Sequence, residues 1–272
     1  MNITILSDNV AKAPLLGEHG FAAYIQSAGT KLLFDTGQGL TLLKNAALLN
    51  CDLNTLDGLI LSHGHYDHTG AIKEILALNP QLPVYYHQGA LVDRYSFKQG
   101  SVKNIAITEQ NRKIISTLSL QQNKQIVKQT PLTGNIFVTG SIPRLHPLED
   151  SGGNFYFNQE QQKKDSVEDE IALWLKSKQG IIVLTGCCHA GIINTCELVK
   201  KQSKSDIYAV IGGLHLHSAS AQRLAATAEY LNTSSIKKIV MCHCSGIAAV
   251  NYLKKQTRLT IEQGSVGYNL FI

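Results

Sequence analysis

The sequence predicts an α/β protein, a four-layer αββα sandwich of two mixed β-sheets. Three observations predict it. Two β-rich halves each carry helix candidates, an irregular polar stretch separates them, and three apolar strands late in the chain each end in small residues or a cysteine and then a histidine. In the first half, Ile3–Ile5, Ala22–Ile25 and Lys31–Phe34 read as short apolar strands. Asp35-Thr36-Gly37-Gln38-Gly39 is a turn, and a helical pattern follows from Leu40 to Leu49. Leu56–Leu61 is a buried strand, Ala71–Leu78 a helix stopped near Pro80, and Leu82–His87 another strand. The second half predicts a hairpin of Ile171–Leu175 and Ile181–Leu184, then helix 191–201, strand Ile207–Ile211, helix Ala219–Leu231, strand Lys237–Met241 and helix Ile247–Lys254.

The stretch from about 88 to 165 is rich in Gln, Asn, Lys and Ser, with strand signals at Gln125–Val127 and Asn135–Thr139. It reads as a lid-like elaboration of one domain spanning 1–272, with a mobile part covering the site. The length of 272 residues and the 44% hydrophobic content suit one large core. No apolar run is long enough to span a bilayer, and Met1–Asn9 lacks the marks of a signal peptide. A net charge of +5 without a nucleic-acid motif leaves a mild preference for anionic small molecules. No nucleic-acid or membrane partner is expected. Six cysteines without a disulfide framework fit reduced thiols in a cytoplasm. Cys242-His243-Cys244 lacks the second cysteine pair that a structural zinc knuckle would need.

The chemistry concentrates in Ser62-His63-Gly64-His65-Tyr66-Asp67-His68-Thr69-Gly70. Three imidazoles and a carboxylate this close suit a divalent cation: zinc first, with iron and manganese also accepted. One loop cannot surround an ion, so further ligands should follow other strands. His189, His215 and His243 each stand just after a buried strand.

These residues resemble the metallo-β-lactamase-fold superfamily. His63-Gly64-His65-Tyr66-Asp67-His68 matches its HxHxDH signature, and Phe34-Asp35-Thr36-Gly37 its first motif. Glu18-His19-Gly20-Phe21, Thr185-Gly186-Cys187-Cys188-His189-Ala190-Gly191, Gly212-Gly213-Leu214-His215 and His243-Cys244-Ser245-Gly246 resemble one branch more closely. That branch is named for 7,8-dihydropterin-6-methyl-4-(β-D-ribofuranosyl)aminobenzene-5′-phosphate synthase. The resemblance implies one or two divalent ions in the cleft between the sheets. His63, His65 and His189 would hold one; Asp67, His68 and His243 the other. The chain departs from the superfamily where a strand usually ends Thr-Gly-Asp, because Cys187 follows Thr185-Gly186. Cys187 either ligates as a thiolate or packs as a small apolar residue, and packing is the expectation. Asp35 would orient a ligating imidazole or cap its turn. His215 would protonate a leaving group, Asp67 would orient the nucleophile, and His19 and Arg144 would contact substrate. His146 carries little weight, and His87 and His217 are expected to be structural or exposed.

The implied function is a hydrolase that turns a metal-activated hydroxide on a small anionic ester, lactone or phosphodiester bearing phosphate or carboxylate. A transferase using a pterin pyrophosphate and a non-catalytic metal-containing binding protein are the alternatives.

Overall fold

The computed structural model describes residues 1–272. The chain begins with β1 (Asn2–Ser7), β2 (Ala22–Ser27) and β3 (Thr30–Phe34), an antiparallel meander. Helix α1 (Leu42–Leu48) leads to β4 (Gly58–Ile60), which runs parallel to β3. Next come the one-turn α2 (Tyr66–Thr69), α3 (Ile72–Leu78) and β5 (Val84–Tyr86). The polar stretch holds the hairpin β6 (Tyr95–Lys98) and β7 (Ser101–Asn104), helix α4 (Glu109–Ser116), β8 (Asn123–Gln125), β9 (Thr130–Pro131), β10 (Ile136–Val138) and β11 (Phe155–Tyr156). The second half runs β12 (Leu173–Lys176), β13 (Ile181–Thr185), α5 (Ile192–Ser203), β14 (Ile207–Gly213), α6 (Ala221–Thr233), β15 (Lys238–Cys242), α7 (Ile247–Gln256), β16 (Thr260–Gln263) and β17 (Asn269–Phe271).

Two seven-stranded mixed sheets result, ordered β17-β1-β2-β3-β4-β5-β8 and β16-β15-β14-β13-β12-β10-β9. A small third sheet, β11-β6-β7, stands apart. The layers follow from side-chain alternation along each strand. In β13, Ile182 and Leu184 face the other sheet and join Ile5, Phe34, Ile60 and Ile211 between the layers. Ile181 and Val183 point the opposite way, into a core with Val199 of α5, Leu231 of α6 and Leu253 of α7. Every residue of β13 is therefore buried, the mark of a strand covered on both faces. Leu33, Leu59 and Leu61 likewise back onto Leu42 of α1, Ile72 and Ile75 of α3 and Ile115 of α4. Truncating Leu184 to alanine in this setting costs about 2–5 kcal/mol.

The polar stretch does more than elaborate. β8 extends the first sheet beyond β5, and β10 and β9 extend the second beyond β12. The strand expected at Gln125–Val127 starts two residues earlier, where Asn123 to Gln125 pair in parallel with β5. The hairpin β6–β7, helix α4 and the closing strands β16 and β17 had no counterpart in the sequence reading. β7 is exposed along its whole length and carries no buried alternation to reveal it. β17 pairs with β1, which brings the two termini together.

What matters for the site is where strands stop. β4, β13, β14 and β15 all deliver their C-terminal ends to the same edge of the sandwich. The loops 62–68, 187–191, 214–217 and 243–246 therefore converge there, where α/β sheets commonly hold ligands.

Candidate metal centre

The convergence draws together His63, His65, Asp67, His68, His189 and His243, with Cys187 among them. Ring centroids lie 4.4 Å apart for His63 and His65, 4.3 Å for His63 and His68, 4.9 Å for His63 and His189, and 5.1 Å for His68 and His243. Four three-residue groups could each surround a cation, their donor atoms lying within 4.8 Å of one another: His63–Cys187–His189, His68–Cys187–His243, Cys187–His215–Cys244 and His19–Asp67–His243. Cys187 belongs to three of these four.

The hydrogen bonds orient the rings. The carboxylate of Asp35 is fully buried and accepts from Ser62 N at 2.7 Å, Ser62 Oγ at 2.6 Å and His68 Nδ1 at 2.7 Å. Because Ser62 Oγ spends its proton on Asp35, it accepts from His63 Nδ1 at 2.9 Å. His189 Nδ1 donates to the carbonyl of Ser151 at 2.7 Å, and His243 Nδ1 to Asn9 Oδ1 at 2.7 Å. Each outer nitrogen thus holds a proton, and in the neutral rings the inner Nε2 presents a lone pair to the centre. Such anchoring fixes tautomer and orientation. His63 Nε2 comes within 3.0 Å of His65 Nδ1, and His68 Nε2 within 3.2 Å of Cys187 Sγ.

Nε2 of His65 and Nε2 of His189 are buried with no hydrogen-bond partner. An orphaned buried polar atom costs about 1–3 kcal/mol, so converging orphans mark a place for a cation. Burial, with the neighbouring histidines adding to it, holds His63 and His189 well below the usual imidazole pKa. Burial and the charge of Arg94 do the same for His65. These rings are therefore neutral donors. His68 differs: burial opposes its charge, but Asp35 and Asp67 outweigh that and raise it to about 9. Asp67 is held well below the carboxylate range despite burial, by His68, His19 and His243.

The backbone is strained where the site needs it. Asp35, Cys188, His215 and His243 all adopt left-handed φ, between 45° and 60°. Non-glycine residues there persist only when surrounding structure holds them. The loops also approach closely. A Cβ on Gly186 would lie 2.1 Å from Ser62 Oγ, which explains the small residue before Cys187.

A cleft of about 750 Å³ opens above the centre. His19, His65, Asp67, Cys187, His215 and His243 line it, and the hairpin β6–β7 forms a wall with Phe97, Lys98 and Lys103. His19 Nε2 lies 3.1 Å from Asp67 Oδ2. His217 is exposed, as expected, and lies on the cleft wall. Two expectations change. Arg144 does not face the cleft; its guanidinium is used by the carbonyls of His189 and Val167, so it supports the His189 loop. Cys187 is buried as a packing residue would be, but its sulfur faces imidazole nitrogens rather than a purely apolar pocket. His146 lies off the centre in a separate surface groove.

Sequence reasoning missed the carboxylates beneath the loops. Asp8 Oδ2 accepts from His243 N at 2.7 Å, Asp169 Oδ2 from Gly64 N at 2.8 Å, and Glu170 from the backbone of His189 and Ala190. Asp8 follows strand β1 as the histidines follow theirs, a signal that was present. Asp169 and Glu170 precede β12 in a polar run, and only tertiary contact reveals their targets.

The Metallo-beta-lactamase superfamily profile matches residues 16–149. The chain is 30% identical over 271 residues to the 7,8-dihydropterin-6-methyl-4-(beta-D-ribofuranosyl)-aminobenzene-5′-phosphate synthase of Methanocaldococcus jannaschii, covering 94% of this chain and 90% of that protein. Among solved structures, Tm1679, a metal-dependent hydrolase of the beta-lactamase superfamily, matches with a TM-score of 0.84 at 29% identity, covering 100% of this chain and 99% of the other. The metallo-beta-lactamase fold protein YhfI of Bacillus subtilis matches with a TM-score of 0.62 at 13% identity, covering 99% of each chain, a likeness of fold alone. With its two sheets, its histidine centre and a relative matched along nearly its whole length, the chain belongs to the metallo-beta-lactamase superfamily.

Proposed function

We propose that the protein is a metal-dependent hydrolase acting on a small anionic ester, lactone or phosphodiester. One observation carries the reading: four histidines anchored at Nδ1 turn their Nε2 towards one another, Cys187 and Asp67 in one buried centre beside a ~750 Å³ cleft. His63, His65 and His189 would hold one divalent ion, and Asp67, His68 and His243 a second, with zinc the favoured element. A bound divalent ion supplies Lewis acidity, which lowers the pKa of water from 15.7 towards ~7 and offsets negative charge as it develops.

The chain's own residues supply the rest. Asp67, held ionised, accepts a proton-bearing group on the cleft floor and orients it. His215 lines the cleft, which supports the reading that it donates a proton to a leaving group. Lys98 and Lys103 give the hairpin wall positive charge for a phosphate or carboxylate on the substrate. Phe97, Phe155 and Ile105 exclude water from the same wall.

The similarity to Tm1679, a metal-dependent hydrolase, supports this reading. The second reading, transfer of a pterin from its pyrophosphate to an aminobenzene acceptor with pyrophosphate leaving, is favoured by the similarity to the M. jannaschii synthase. Elemental mass spectrometry on native protein and on His65→Ala, His68→Ala and Cys187→Ala variants is the test, followed by a screen of phosphodiesters, lactones and thioesters. Metal lost from His65→Ala and His68→Ala, with hydrolysis lost alongside, is the expected result. Full metal retention in both variants would overturn the assignment, and turnover only with a pterin pyrophosphate and an aminobenzene acceptor would favour the transferase.

A further inference from the structure

Beside the histidine centre lies a second group of donors that the proposed hydrolysis does not use as ligands. Cys187, Cys244 and His215 present one donor atom each, all within 4.8 Å of one another. A tetrahedral ion with sulfur at ~2.3 Å and nitrogen at ~2.0 Å spaces its ligands about 3.6 Å apart. These three donors, no more than 4.8 Å apart, therefore need to close by at most about 1.2 Å to surround one. All three are more than nine-tenths buried, and His215 Nδ1 has no hydrogen-bond partner.

The fold brings these side chains together at some cost. His215 adopts a left-handed φ of 45° on the loop after β14. Gly213, two residues earlier, leaves room for the sulfur: a Cβ there would lie 2.7 Å from Cys244 Sγ and 3.2 Å from Cys187 Cα. The only hydrogen bond of Cys244 Sγ is a long one, at 3.5 Å to the carbonyl of Cys187. The remaining buried thiols point elsewhere. Cys188 Sγ pairs with Thr195 Oγ1, and Cys242 Sγ with the carbonyl of Val240.

We propose that Cys187, Cys244 and His215 form a sulfur-donor metal site for a thiophilic ion such as zinc or cadmium, its fourth position open to the cleft. Thiolates select zinc over hard ions such as magnesium and calcium. Three protein ligands and an open position are the arrangement of catalytic rather than structural zinc. All three residues line the cleft, so the open position faces substrate. The site shares Cys187 with the histidine centre, where a thiolate can bridge neighbouring ions, and takes His215 as a ligand in place of the proton-donor role proposed above. Binding releases the thiol protons to solvent and involves no redox change.

The test is cadmium reconstitution of the metal-free full-length protein, followed by the thiolate-to-metal charge-transfer absorption and by cadmium-113 NMR. The unmutated protein should give a charge-transfer band and a resonance deshielded by two sulfur donors. Cys244→Ala should lose roughly half of the band, Cys187→Ala at least as much, and Cys196→Ala, buried in α5 away from the site, none. His215→Gln should weaken cadmium affinity at this site while the histidine centre still fills. A resonance typical of nitrogen and oxygen donors alone, read on the unmutated protein, would overturn the proposal. So would a band lost in Cys187→Ala but intact in Cys244→Ala; in that case the histidine centre, with Cys187 as its ligand, would stand and the sulfur site would not. Failure of the histidine centre itself reads out separately, as metal retained by His65→Ala.

Discussion

Replacing Asp35 by asparagine tests how the ring orientation is set. The two side chains have nearly the same volume, so packing around the buried position is preserved. The hydrogen bonding is not. Asp35 accepts three bonds, from Ser62 N, Ser62 Oγ and His68 Nδ1. An asparagine can keep the first with its oxygen, but its amide then points N–H groups at Ser62 Oγ and at His68 Nδ1–H. Two donors face each other, and His68 relieves the conflict by giving up its Nδ1 proton and keeping the one on Nε2. That leaves a hydrogen on the nitrogen lying 3.2 Å from Cys187 Sγ and aimed at the centre. Losing such an outer partner costs about 10- to 100-fold in metal affinity. Removing the charge from the buried Asp35–His68 pair also costs the metal-free protein about 3–5 kcal/mol. Competition against a chromophoric chelator measures the first quantity, and urea unfolding of metal-free protein the second. Zinc affinity within twofold of the parent, in a variant with the expected loss of stability, would refute the claim that Asp35 sets the tautomer of His68.

Three further outcomes follow from particular contacts. Gly213→Ala forces a Cβ to within 2.4 Å of the Gly186 carbonyl, so it should lower the thermal midpoint and weaken metal binding together; calorimetry with metal titration checks both. Asp169→Asn removes the nearer of the two carboxylates beside buried Arg94, the other being Asp165 at 3.5 Å, and weakens the bond to Gly64 N between two candidate ligands. It should cost about 3–5 kcal/mol in urea unfolding, and a loss under 1 kcal/mol would remove Arg94–Asp169 as a support for this loop. Glu149 caps α5 by accepting from Ile193 N and Asn194 N, yet burial raises its pKa above 4.5. From pH 4.5 up to that raised value, the native carboxyl holds a proton that the unfolded chain has released. Its contribution to stability therefore falls as pH rises through this window, by at most ~1.4 kcal/mol per pH unit. Glu149→Gln should lose that slope in urea unfolding measured between pH 4 and 7, and parallel slopes would exclude Glu149 as its source.

Much of the fold was written locally. Ile181–Leu184, Ile207–Ile211 and Ile239–Met241 are short apolar runs, too short for a helix, and each is a strand buried on both faces. The His63–His68 cluster marks candidate donors by spacing alone, and His189 and His243 stand out by following buried strands; the fold brings all of them to one edge of the sandwich. Composition could not disclose the hairpin β6–β7, because an exposed ribbon needs no apolar alternation; its role as a cleft wall depends on where β11 holds it.

What the sequence by itself determined, then, is most of the buried strands, the sandwich and the candidate donors carried on contiguous motifs, because hydrophobic period and ligand spacing are local properties. Tertiary structure alone decided which groups lie under and between those motifs. Arg144 reads as a free cation until the carbonyls of His189 and Val167 occupy it. Cys244 reads as half of an incomplete zinc knuckle until the ends of β13, β14 and β15 bring it to Cys187 and His215, residues 57 and 29 positions away. Those contacts are set by strand order and by strained loop backbones, and neither leaves a periodic trace along the chain.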